Sequence, residues 1–224
     1  MRKYIYVVTL LLLAVLEGCK NKPTNAVAPT PQVPLATPQT PPVGVNTNTT
    51  IYYGTVESAL RNYLTLLKNF DTDGIVQKTY PTLFTVINEQ HFREYISTMM
   101  HSKDIMIEKY ETQITDFGHL KAFSNGTKFV QVGYRSTAKI IFLNDNLYNN
   151  TNSINFLYDV LIHKYGKENI EMNVANRSLK ITRNEKLIMI QHLNQEWQFI
   201  GDTPEYRRLY PKILPYEVLS NLEG

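Results

Sequence analysis

Residues 127–143 alternate in character, and this constrains the fold more than any other feature of the chain. Val130, Val132, Tyr134, Ser136, Ala138, Ile140 and Phe142 share one parity; Gln131, Arg135, Thr137 and Lys139 share the other. Successive strand side chains point to opposite faces, so one face is covered and the other is polar. That pattern belongs to an antiparallel sheet, not to a parallel one buried on both sides. Gly133 interrupts the run and marks a bulge or a sharp bend. A second long strand is expected over 104–117, and Ser124-Asn125-Gly126-Thr127 supplies a hairpin turn between the two.

The residues before these strands read as helices. Val56, Ala59, Leu60, Tyr63, Leu64, Leu67 and Phe70 recur at spacings of three and four, which lays one apolar stripe along a helix. Asp71-Thr72-Asp73-Gly74 ends it, and a short helix follows through Ile75 and Val76 to Tyr80-Pro81. A third begins at Asn88, a natural N-cap, and buries Phe92, Tyr95, Ile96 and Met99. After the long strands, Ile154, Leu157, Tyr158, Leu161 and Tyr165 predict another helix, closed by Gly166 as a left-handed cap. Short strands are expected near 169–174, 178–183, 186–193 and 196–201. The turns between them are read at Asn176-Arg177, Arg183-Asn184-Glu185 and Asn194-Gln195-Glu196. A tail ends in a short helix that Pro215 starts.

The chain divides into three materials. Residues 1–18 open with Arg2-Lys3 and continue with an apolar run from Tyr4 to Leu16, too short to span a bilayer but fit for a secretory signal. Leu16-Glu17-Gly18-Cys19 resembles the bacterial lipobox. The resemblance implies cleavage after Gly18 and acylation at Cys19, the chain's single cysteine. Glu17 departs from the small uncharged residue usual there. Several acyl chains anchor stably where one does not. Residues 19–50 hold seven of the eleven prolines and no charge after Lys22, the composition of an extended tether. An Asp after the lipidated Cys would resemble an inner-membrane retention signal; Lys20 stands there, which points to the outer membrane. Whether the domain faces the periplasm or the cell surface is left open. Residues 51–224 form a single globular domain, long enough to bury a core.

The fold class expected is α+β: N-terminal helices packed on a strongly curved antiparallel sheet, with an inserted helix and a short C-terminal helix. The helices at 57–70, 73–81 and from Asn88, with Trp197-Gln198-Phe199-Ile200 as a final strand, resemble the nuclear-transport-factor-2-like, or cystatin-like, cone. The resemblance covers about residues 52–201. It implies an internal pocket, and the superfamily includes both enzymes and non-catalytic binding modules.

Most catalytic signatures are missing. The net charge of +3 gives no footprint for nucleic acid. A lone cysteine, outside the domain, excludes thiol catalysis and a cysteine zinc site there. The five histidines show no metal spacing, and no Gly-rich phosphate loop or nucleophile elbow occurs. Asp71-Thr72-Asp73-Gly74 is too short for a calcium loop and lacks its closing Glu. No cofactor and no metal is expected. Tyr110, Tyr134 and Trp197 either converge on the inner sheet face as a pocket lining or pack as ordinary core aromatics. His192 alternates with Ile188 and Ile190, which makes it either a base on an apolar face or a hydrogen-bonded core or rim residue. Asp116 and His119 read as a solvent-exposed pair.

The expected function is therefore a membrane-anchored envelope lipoprotein whose domain binds a small ligand or an envelope protein without catalysis. The alternative is an isomerase, dehydratase or cyclase with His192 or Asp116 as base and Tyr134 or Tyr110 as donor. A dimerisation scaffold on an open sheet face is a third reading; the sequence carries no signal for an oligomeric state.

Overall fold

The computed structural model describes residues 49–144, 151–193 and 195–222. The signal segment, Cys19 and the proline-rich tether up to residue 48 lie outside the described residues, and the last two positions read as tether, Thr49 and Thr50, are helical. Among the described residues, no helix is long and apolar enough to cross a membrane.

The architecture is α+β, a six-stranded antiparallel sheet with seven helices. Two helices, α1 (Thr49–Asn69) and α2 (Thr72–Lys78), are followed by a 3-10 turn (Pro81–Thr85) and by α3 (Glu89–Met100). Next come β1 (Ile105–Phe117), β2 (Lys121–Ala122) and β3 (Thr127–Phe142), then α4 (Thr151–Tyr165). The strands β4 (Ile170–Asn173), β5 (Ser178–His192) and β6 (Gln198–Gly201) complete the sheet. Three single-turn helices, α5 (Pro204–Arg207), α6 (Tyr210–Ile213) and α7 (Tyr216–Leu219), close the chain. The main strand order is β1-β3-β5-β4, with β2 paired to β3 and β6 to β5.

Local chemistry sets the element ends. Asp71 caps α2 by accepting from Gly74 N at 2.9 Å, so the acidic run that superficially fits a calcium loop is a helix start. Asn88 caps α3 by accepting from His91 N at 2.9 Å. Pro215 precedes α7 as its cap residue. Gly126, at φ +82°, makes the hairpin turn into β3. Gly166 does have a positive φ of 87°, but its ψ of 146° lies outside the left-handed helical region expected of it. The irregularity expected at Gly133 sits across from it: β1 shifts register between Ile114 and Asp116, and Asp116 pairs with Gly133. A second shift falls between Ile107 and Lys109. Such bulges bend and twist the strand that carries them.

One expectation fails in an informative way. Arg183-Asn184-Glu185 is not a turn. It runs through the middle of β5, which pairs without interruption to β3 from Ser178 to His192. Three consecutive polar residues have turn composition, but here alternation puts Asn184 out, where it accepts from Arg135 Nε at 3.2 Å, and turns Arg183 and Glu185 in.

The helices and the sheet enclose three apolar clusters. On the front face of the sheet, Val130, Val132, Tyr134, Leu187 and Met189 pack with Val56, Leu60, Tyr63 and Leu64 of α1, Ile75 of α2 and Ile96 of α3. Farther along that face, Ile105, Ile140, Phe142, Leu179 and Ile181 pack with Leu157 and Leu161 of α4. On the back face, Phe129, Ile188, Ile190 and Ile200 pack with Leu83 and with Tyr210, Ile213, Leu214 and Val218 of the C-terminal turns. This back layer explains why Leu187–Ile190 is buried at every residue instead of every second one.

Candidate functional site

Between the two front-face clusters, the sheet carries polar groups where its neighbours carry aliphatic ones. Ser136 of β3 faces Arg183 of β5 directly across the ladder, and Tyr134 faces Glu185. Tyr110 of β1 pairs with Ala138, one inward position along. The bulge after Ile107 sets this phase. Ile105 and Ile107 point inward before it, and the extra residue switches the inward parity to Tyr110, Thr112 and Ile114.

Tyr110, Tyr134, Ala138, Arg183 and Glu185 line a cavity of about 290 Å³, with Ser136 behind Glu185. Its walls are Tyr63 and Leu67 of α1, Phe70 just beyond it, Phe92, Tyr95, Ile96 and Met99 of α3, Leu157 and Leu161 of α4, and Tyr206 of α5. The sheet adds Ile140, Phe142, Leu179, Ile181 and Leu187. Phe70 stands just past α1 at φ +51°, a conformation an aromatic residue adopts only at a cost. It puts the ring against Tyr110, with centroids 5.5 Å apart.

At the sheet wall, Arg183 Nη2 lies 3.2 Å from Glu185 Oε1. Ser136 Oγ donates to Glu185 Oε2 at 2.7 Å, and the Tyr110 phenol lies beside Ser136 and Arg183. A guanidinium only donates and a carboxylate only accepts, so Glu185 takes Arg183 on one oxygen and the Ser136 hydroxyl proton on the other. Among the described residues, no fully buried side-chain nitrogen or oxygen lacks a partner.

The surroundings act on these groups as low-dielectric walls do. Burial pushes the phenols of Tyr63, Tyr95, Tyr110, Tyr134 and Tyr206 up, so all five are neutral hydroxyls at neutral pH. The Glu185 charge adds to this at Tyr134. Burial works against the Arg183 charge, but the Glu185 carboxylate beside it opposes this, and its pKa stands above the ordinary arginine value. The site is thus a net-neutral ion pair among neutral phenols.

Placement of the sequence candidates is uneven. Tyr110 and Tyr134 line the cavity together. Trp197 is buried in the α1-side cluster with Val130 and Met189 and is not part of the lining. His192 is a correction: it is exposed at the end of β5, where its Nδ1 lies 3.3 Å from Thr127 Oγ1. Its parity matches Ile188 and Ile190, but those face the back layer, so the apolar face it shares is the wrong one for the cavity. Asp116 and His119 are exposed as well, and neither touches the lining. Arg183, Glu185 and Ser136 are the residues that sequence reasoning missed. The usable signal was parity: read through the supposed turn, positions 179, 181, 183, 185, 187 and 189 all point one way. No grouping of metal-ligating side chains occurs among the described residues.

No protein-family model matches the chain, and comparison with curated proteins and solved structures gives no match either.

Proposed function

We propose that this chain is an outer-membrane lipoprotein whose domain holds a small, mostly apolar ligand in the cavity of a nuclear-transport-factor-2-like cone, without catalysis. The observation that carries the binding reading is the cavity itself: about 290 Å³ walled by aromatic and aliphatic side chains with one ionic pair built into its wall. A buried pair contributes little net stability, and well-packed apolar residues in its place are often neutral or better. An ion pair kept at such cost in an otherwise apolar space is the usual mark of a site that orients a ligand. The two β1 bulges support the cone reading, because they are the devices that curl a sheet around its contents.

The anchor reading rests on Leu16-Glu17-Gly18-Cys19 and on the proline-rich stretch behind it. About thirty tether residues at about 3.1 Å each would let the domain stand up to about 90 Å from the bilayer. The isomerase-type alternative loses its support where it named its bases, since His192 and Asp116 are both exposed.

Two experiments test the two halves. Metabolic labelling with a palmitate analogue is expected to mark the wild type and not Cys19→Ser, which then leaves the membrane fraction; a variant still processed and membrane-bound contradicts the anchor. For the cavity, the full chain in nanodiscs is titrated with an environment-sensitive apolar dye against empty nanodiscs. Saturable binding that Ala138→Phe abolishes, by filling the space, is expected. Equal binding by both proteins contradicts the cavity as the site.

A further inference from the structure

The Arg183–Glu185 pair at the cavity wall specifies what the ligand presents to it. This rests on the cavity being a binding site and goes on to name the chemistry that fits. Arg183 has five N–H donors in a planar fork. Glu185 Oε1 takes one of them, at 3.2 Å. Both Glu185 oxygens then have a partner, Arg183 on one and Ser136 on the other. Arg183 keeps about a quarter of its side-chain surface open, and what a guanidinium offers there is N–H only, so the partner it can take is an acceptor.

Charge then separates two kinds of acceptor. Arg183 is already neutralised by Glu185 at 3.2 Å. A carboxylate or phosphate entering the cavity would place a second anion beside Glu185, with one cation between them and no other basic side chain in the lining. Like charges in a low-dielectric space repel strongly. A neutral oxygen acceptor meets the spare N–H groups at no such cost. Size follows from the volume: an apolar cavity of about 150 Å³ holds a benzene ring, so one of nearly twice that volume takes about a dozen non-hydrogen atoms.

We infer that the cavity takes a neutral, largely apolar molecule of this size with a carbonyl-type oxygen (ketone, ester or amide) hydrogen-bonded to the Arg183 fork. The apolar body lies against Phe70, Phe92 and Met99. The carbonyl replaces water on the guanidinium, while Glu185, held by Ser136, keeps the fork aimed. No anion, metal or cofactor enters this recognition.

The test uses three probes matched in size: valerophenone, hexylbenzene and 4-phenylbutyrate, which share an aryl-alkyl body and differ in carrying a ketone, no oxygen, or a carboxylate. Equilibrium dialysis against the full chain in nanodiscs, with empty nanodiscs as reference, measures each at neutral pH. The ketone is expected to bind about tenfold or more tighter than either of the others, the worth of a hydrogen bond to a charged donor. In Arg183→Met/Glu185→Leu, which removes both charges at once, hydrocarbon binding persists and the ketone's advantage falls to about twofold or less. Should that variant not fold, Arg183→Lys keeps the charge and withdraws the fork, and the advantage is expected to fall to about threefold. Tightest binding by the carboxylate overturns the inference, as does equal binding of ketone and hydrocarbon, or an advantage that survives these substitutions. In those cases the cavity remains a ligand site. Binding of none of the three overturns the cavity reading along with it.

Discussion

Arg183 Nη2 sits 3.2 Å from Glu185 Oε1, two residues along the same strand and on the same face of it. Neighbours at that spacing on one strand lie side by side, so the pair needs no turn or loop to form. Ser136 from the next strand, buried with 1% of its surface exposed, holds the far oxygen of the carboxylate. The pair is thus built into the sheet and does not depend on the ligand for its geometry.

The pair's two halves are expected to respond unequally to mutation. Arg183→Met alone leaves the carboxylate among apolar walls and is expected to cost about 2–3 kcal/mol, less than a fully buried pair because both side chains retain about a quarter of their surface. Arg183→Met/Glu185→Leu is expected to fall within about 1 kcal/mol of wild type. Urea denaturation measures both. A double variant as unstable as the single one would show that the pair holds the fold together.

Asp202 gives the molecule an acid-sensitive latch between the sheet and its back layer. Its side chain is fully buried and accepts from Arg207 Nε at 2.6 Å, Arg207 Nη2 at 3.0 Å, Gln131 Nε2 at 3.0 Å and Tyr210 Oη at 3.1 Å. Burial favours the protonated acid, but the bonds from Arg207, Gln131 and Tyr210 win and hold the carboxyl below its usual range. A depressed folded pKa stabilises above the unfolded value, near 4, and the stabilisation is lost as pH falls through the folded pKa. Asp202→Asn is expected to cost about 1.5–3 kcal/mol at pH 7. The gap to wild type should narrow as pH falls below about 4. A gap that does not change with pH in denaturant titrations would contradict the assignment.

Tyr63 tests the α1 side of the cavity. Its ring stacks on Phe199 with centroids 4.1 Å apart and planes 3° from parallel, and its phenol is buried beside Thr79. Tyr63→Phe keeps the stack and is expected to cost about 0.5–1.5 kcal/mol. Tyr63→Ala removes a buried ring and is expected to cost about 3–5 kcal/mol. Similar losses from both, by thermal or chemical unfolding, would mean that the hydroxyl and not the stack carries the energy.

Trp197 and Tyr134 separate lining from core. Trp197→Phe is expected to lower stability by about 1–2 kcal/mol as a large-to-small change in packed core and to leave probe affinity within about twofold. Tyr134→Phe is expected to do the reverse, barely moving stability and weakening ketone binding about threefold to tenfold. His192→Ala is expected to move neither. An affinity loss from Trp197→Phe exceeding that from Tyr134→Phe would return Trp197 to the site.

Much of this was legible in the sequence, and the illegible part has a physical cause. Spacing of apolar residues located α1 and α3, and alternation located β1 and β3 within about one residue, because each of these elements buries one face and exposes the other. The parity that placed Tyr134 inward was visible for the same reason. Arg183 and Glu185 were lost because composition and periodicity conflict there. A polar triplet has the composition of a turn, and only the continuous ladder to β3 shows that the strand passes through it. His192 failed differently. Its alternation with Ile188 and Ile190 was read correctly, but a strand covered on both sides has two apolar faces, and sequence does not say which one holds the cavity.

The most direct measurement is an NMR titration of the full chain, with its tyrosine rings isotopically labelled, in nanodiscs with valerophenone. The account predicts saturable shifts for Tyr110 and Tyr134 with one ligand per chain, and none for Tyr216, which is 82% exposed on the C-terminal turn. Shifts at Tyr216 without shifts at Tyr110 and Tyr134, or no saturable shift at any tyrosine, would contradict the claim that this cavity binds a ligand.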